Sequence, residues 1–260
     1  MNKSLRNIYY IAKVSAFEFI RDKILYAALV IAGLLVAFSF LLASMSLYEQ
    51  DKLVADFGYT ALTFSLLFIS VIAGAYLIPN EIERSTIHQV LVRPVQRGQF
   101  LVGKFLSIVF VNFVYTVIFG VVLFLLLAEV GMKHFEIHAM ILMQIFSESV
   151  LVLAAAILFS IYVRPLIALV MGIVIYLAGH WLGDLEYFAQ KSQDEYLKTL
   201  AAIFRQVIPN LYRYNWKSFI VLTESASFNM SLSSMLLYYS SWVCIFLIIA
   251  SMGFRKRDLI

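Results

Sequence analysis

The sequence predicts an all-α integral membrane protein, and three observations carry that prediction. Of its 260 residues 62% are hydrophobic and 14% charged, which leaves too little polar surface to cover a soluble globule. The apolar residues gather in continuous runs, each close to the length of about 20 residues that crosses a hydrocarbon core of about 30 Å. Lys and Arg collect in alternate connections between these runs. A membrane β-barrel is excluded, because barrel strands alternate apolar and polar residues over about 10 positions. The net charge of +4 does not call for a nucleic acid, since the cations flank apolar runs and a bilayer accounts for them.

Residues 1–23 predict an interfacial helix that feeds the first span. Ile8, Tyr9, Ala12, Phe19 and Ile20 share one face, while Ile11, Val14 and Phe17 fall elsewhere, so amphipathicity is modest. No cleavable leader is expected, because the first apolar run begins late and is longer than a signal core. Six spans follow, at residues 24–47, 58–79, 105–128, 139–163, 166–182 and 232–253. The fifth is short, yet Pro165 suits a first helical turn, and His180 with Trp181 suits an interfacial position. With the N-terminus inside, Lys3, Arg6, Lys13, Arg21 and Lys23 share the cytoplasmic face with Arg84, Arg93, Arg97, Lys104, Arg164, Arg255, Lys256 and Arg257. The two short outer loops then keep Lys52 and Lys133. Both termini are therefore expected in the cytoplasm.

Between the second and third spans, residues 80–104 form a charged segment broken by Pro and Gly. Asn80, with Glu81 and Glu83 behind it, predicts a helix start, because acids suit the positive end of the helix dipole. Arg93-Pro94 ends that helix and Gly98 supplies a corner before Gln99 opens the next. A helix and corner of this kind offer a docking surface; a plain connector is the alternative. Residues 183–231 are expected outside. There Leu197, Leu200, Ala201, Phe204, Val207 and Ile208 recur at helical spacing opposite Lys198 and Arg205, until Pro209 stops the pattern. This amphipathic helix is expected on the outer leaflet, with Tyr212, Tyr214 and Trp216 at headgroup level. A structural lid over the bundle is its plainer reading.

Catalytic patterns are scarce. Gly98 to Lys104 satisfies the G-x-x-x-x-G-K spacing of a phosphate-binding loop, but Phe105 stands where Ser or Thr would hold magnesium, and the loop runs into a span. His134 and His138 are four residues apart with Glu136 between them, outside the context of a helical zinc site, so no metal site is assigned. Cys244 is the sole cysteine and lies in an apolar run. No catalytic residue is assigned, and the chain is not expected to be an enzyme by itself. Glu148 is the exception to apolar monotony, since a carboxylate within a span costs about 3 kcal/mol on insertion scales. Gln144 and Ser147 lie within a turn of it on the same side of the helix, which predicts a polar stripe toward the bundle interior. That stripe serves either a substrate or proton pathway, or helix packing through a protonated glutamate.

Three cytoplasmic patches, AFEFIRDKIL before the first span, NEIERSTIHQVLVRPVQRGQFLVGK after the second and GFRKRDL after the last, resemble permease subunits of ABC-2 type exporters, nearest the NosY-like branch. The resemblance implies that the loop after the second span is a coupling helix seated in a cleft of a separate ATP-binding-cassette ATPase. Glu81, Glu83, Arg84, Thr86, Arg93, Pro94 and Arg97 would form that contact, with Glu18 and Arg21 in the interfacial helix beside it. ATP and magnesium would sit on the partner ATPase, and none on this chain. A second permease copy or homologue, as homodimer or heterodimer, and a bacterial cytoplasmic (inner) membrane are also implied. Two departures stand out: Ser85 precedes Thr86 where the family commonly has Gly, and the outer segment before the last span is long and charged. Other expectations for such a chain are an ion-coupled secondary transporter or channel acting through Glu148, or a non-transporting membrane anchor of an assembly.

Overall fold

A computed structural model describes residues 3–21, 23–45, 50–83, 97–129, 135–192, 195–217 and 231–256. Among these residues every long element is a helix: α1 (Lys3–Ile20), α2 (Lys23–Met45), α3 (Gln50–Glu83), α4 (Arg97–Glu129), α5 (Phe135–Tyr162), α6 (Pro165–Lys191), α7 (Glu195–Val207) and α8 (Leu232–Lys256), with a short 3-10 turn at Tyr212–Tyr214. Five of them, α3 to α6 and α8, are each long and apolar enough to cross a membrane. The pair α1 and α2 meets at a bend of 56° and makes a sixth candidate. The protein is thus an all-helical membrane protein.

The bundle is built around α5. Leu151, Val152, Leu153, Ala154, Ala155, Ala156 and Ile157 are all buried, so this helix is enclosed on every side by α3, α4, α6 and α8. The three alanines let neighbouring backbones come close, which is how helices gain packing energy when lipid offers no hydrophobic contrast. On α3 the buried residues Val54, Ala55, Tyr59, Leu62, Leu66 and Ile69 follow the helical period and face this core. Buried polar groups knit the spans together. Asn112 on α4 donates to Ser70 on α3 at 2.8 Å and lies 3.4 Å from Ser149 on α5. The outward faces of α2, α4, α6 and α8 carry exposed residues such as Leu34, Ile118, Leu166 and Leu237, as lipid contact requires.

Several expectations are corrected. No helix begins at Asn80: α3 continues through Pro79 to Glu83. Pro79 has no amide to donate to the Ala75 carbonyl, so the helix continues with one bond of its ladder missing. The helix of the fifth span is longer than its apolar run, since α6 continues past Leu182 to Lys191. His138 is no loop residue but is buried within α5. Its Nε2 donates to the Gly120 carbonyl at 3.0 Å, so its Nδ1 accepts from the Tyr59 hydroxyl at 2.8 Å. With both ring nitrogens engaged it has no lone pair for a metal. His134 lies outside the described residues.

Candidate functional site

Two regions hold the residues that the sequence singles out. The first is the base of α4. Arg97 opens that helix, and its Nη1 donates to the carbonyl of Phe254, near the end of α8, at 3.4 Å. Nearly two turns further on, α1 lies against α4 at Gly103. A Cβ there would come within 2.8 Å of Ile11 Cγ2 and 3.3 Å of the Ile8 carbonyl, so only glycine permits this approach. The contact also decides which face of α1 turns inward. Ser15 and Ala16 are buried while Tyr9 and Ile20 point outward, and Ile11, which hydrophobic patterning set apart, is on the packed side. Glu18 Oε2 lies 3.6 Å from Lys104 Nζ across the same seam. Arg21 closes α1 through its backbone amide, which donates to the Glu18 carbonyl at 3.2 Å. Glu81 and Glu83 belong to the last turn of α3, whereas Arg84, Thr86, Arg93 and Pro94 lie outside the described residues.

The second region surrounds Glu148, which is 2% exposed at the centre of α5. Gln144 Nε2 donates to Glu148 Oε1 at 3.0 Å, and the Tyr239 hydroxyl of α8 approaches the same oxygen at 3.5 Å. His180 of α6 places Nε2 at 3.6 Å from Glu148 Oε2, with the ring of Tyr176 edge-on at 4.7 Å. Ser147 does not join, since its hydroxyl bonds back to the Met143 carbonyl at 2.7 Å. His180 turns inward with 17% of its side chain exposed, while its neighbour Trp181 faces out at 66%, so the two part company across the helix.

The chain beyond α7 folds back onto this cluster. Pro209 and Leu211 sit on α6 at Gly179, where a Cβ would come within 2.7 Å of both the Pro209 carbonyl and the Leu211 side chain. The Leu211 amide donates to the Gly179 carbonyl at 3.1 Å. Trp216, expected at the headgroups, is instead 1% exposed, and its amide donates to Gln144 Oε1 at 2.8 Å. Lys217 follows with Nζ at 3.5 Å from Thr63 Oγ1. Gln144 is thus the hinge of the arrangement: its amide group holds the carboxylate with one end and the returning outer segment with the other.

His180 and Tyr239 were not singled out by sequence as partners of Glu148, nor Trp216 as a partner of Gln144. For His180 a signal existed, because Glu148 and His180 are equidistant in sequence from Arg164, the turn between α5 and α6. Two antiparallel helices rising 1.5 Å per residue bring such positions to equal depth. Tyr239 and Trp216 arrive from other elements and have no local signal.

The model of the family described as "ABC-2 family transporter protein" matches residues 19–182, from the end of α1 to most of α6, and so includes both the base of α4 and Glu148 with His180. No curated protein matches the chain.

Proposed function

The chain belongs to the ABC-2 transporter family, and from that premise we propose that it is the permease subunit of an exporter driven by a separate ATP-binding-cassette ATPase, nearest the NosY-like branch. The observation that carries the coupling role is the convergence of α1, α4 and the end of α8 around Arg97, Gly103 and Lys104. The segment between Glu83 and Arg97 joins the ends of two helices that run the height of the bundle. A displacement of this segment would act on both at once, and through α4 on α1 and α8. ATP and magnesium would bind on the ATPase, and two permeases, identical or homologous, would pair in a bacterial cytoplasmic membrane with both termini inside. The cation distribution supports that orientation.

Energetically, the coupling contact must favour either the ATP-bound or the ATP-free partner, because equal affinity for both states shifts nothing. Reversing the charge of Glu83 or Arg84 tests this. Co-purification of an ATPase with the tagged wild-type chain is expected, and either reversal should lower ATPase stimulation on the order of tenfold while leaving membrane insertion intact. Unchanged stimulation, or a chain that brings down no ATPase, would sink the proposal. The enclosed Glu148–His180 pair favours a second reading in which an ion couples transport. Transport that persists without ATP and stops in Glu148→Gln would select it.

A further inference from the structure

Where the end of α6 meets α7 and the returning chain, the structure holds an open cavity of about 490 Å³. Arg205 and Arg213 line it together with Glu186 and the rings of Tyr187, Tyr212 and Tyr238. We propose that this basin binds the acidic headgroup of a membrane phospholipid.

Depth is the first argument. The lining residues of α6 run from Gly183 to Gln190, which at 1.5 Å per residue lie about 28 to 39 Å from the Arg164 turn. A hydrocarbon core of about 30 Å therefore ends within the height of the basin, on the side opposite that turn. The second argument is α7. Leu200, Ile203, Phe204 and Val207 form one stripe at helical spacing, and all are exposed, whereas Ala201 is buried. Arg205, one turn after Ala201, reaches Glu186 of α6 with Nε at 3.7 Å from Oε1. This helix thus offers an apolar stripe to acyl chains and a guanidinium to the basin beside it, the arrangement of an interfacial helix.

Chemistry is the third argument. Guanidinium groups bind phosphate oxygens through paired N–H donors, and tyrosines favour the headgroup level. The floor is fixed in advance. Tyr238 OH accepts from the Asn210 amide at 2.7 Å, Asn210 Oδ1 accepts from the Arg213 amide at 3.1 Å, and the Tyr212 ring rests directly on Gly183, where any side chain would collide with it. Glu186 competes with an incoming phosphate for Arg205, and its neutralisation should therefore strengthen binding.

The test uses the full chain in detergent, titrated with phosphatidylglycerol, phosphatidylcholine or free glycerol phosphate and read by native mass spectrometry. Preferential retention of phosphatidylglycerol is expected. Replacing Arg205 and Arg213 together by Ala should weaken it on the order of tenfold, and Glu186→Gln should strengthen it about threefold. Equal retention of both lipids, or no loss in the double variant, overturns the proposal. Displacement of phosphatidylglycerol by an equal concentration of glycerol phosphate overturns it as well, because the ligand would then be water-soluble. Should the double variant fail to fold, Glu186→Gln alone decides, and unchanged or weakened binding counts against the assignment.

Discussion

The base of α4 and the surroundings of Glu148 both use charge, but in opposite settings. Glu18 pairs with Lys104 while 65% of its side chain remains in solvent, whereas Glu148 is 2% exposed and hemmed by Gln144, His180 and Tyr239. In the first case water solvates the Glu18 carboxylate but not the Lys104 ammonium, which is 12% exposed, so the pair is loosened from the Glu18 side and Glu18 is free to turn to a partner. In the second, every group that leaves the cluster strands another in a medium that cannot replace it. One region is suited to changing partners and the other to holding a fixed arrangement.

The largest expected effect lies in the fixed region. Trp216 is the bulkiest fully buried side chain, and its backbone amide donates to Gln144 from the outer segment. Trp216→Ala should cost about 3 to 5 kcal/mol, since the void cannot refill without moving the returning chain. Thermal unfolding in detergent measures the loss, and limited proteolysis should show the outer segment cut first. A loss under about 1 kcal/mol would mean that the segment is only laid over the bundle, and the contrast drawn above would fail.

Next comes Gln144→Leu, which removes the acceptor of the Trp216 amide and the amide donor to Glu148 in one step. Orphaning buried partners costs about 1 to 3 kcal/mol, although measured hydrogen bonds between membrane helices average lower. Amide exchange at Trp216 should accelerate on the order of tenfold, while that of α3 and α4 at the opposite end stays as it was. Uniform acceleration throughout would show that Gln144 supports the whole bundle rather than the seat of the outer segment.

What the sequence made legible follows from these physical differences. Continuous apolar runs announce a helical membrane protein because no other fold satisfies their backbones in lipid. Glu148 was legible for the same reason, since a carboxylate inside such a run must be tied to something. Tyr239, which approaches it, and Trp216, which bonds its neighbour Gln144, were not, because tertiary packing brings them in and leaves no mark at their own positions. The face of α1 was legible in part: Phe19 packs against the core, but Tyr9 and Ile20 are exposed and Ile11 packs inward at Gly103, far along the chain. Asn80 misled for a local reason: a capping residue followed by two acids has the composition of a helix start, yet α3 runs on through Pro79 and past it. Arg84, Thr86, Arg93 and Pro94 remain an expectation carried by family membership and by the geometry on either side of them.

The smallest effect on stability, and the sharpest test of the adaptable region, belongs to Glu18 and Lys104. At 3.6 Å with one partner mostly in solvent, the pair should show a coupling energy of about 0.5 kcal/mol in a double-mutant cycle, and each single Ala variant should unfold within about 1 kcal/mol of wild type. Stimulation of a co-purified ATPase is the second readout. If α1 transmits motion from the base of α4, Glu18→Lys should reduce stimulation several-fold by setting two cations against each other across the seam. Exchanging the pair, Glu18→Lys with Lys104→Glu, should restore most of it. A coupling energy above about 2 kcal/mol would place this seam with the fixed region after all. Loss of stimulation in the exchanged pair would mean instead that Glu18 or Lys104 meets the ATPase itself, because a contact within the chain survives the swap and a contact with a partner does not.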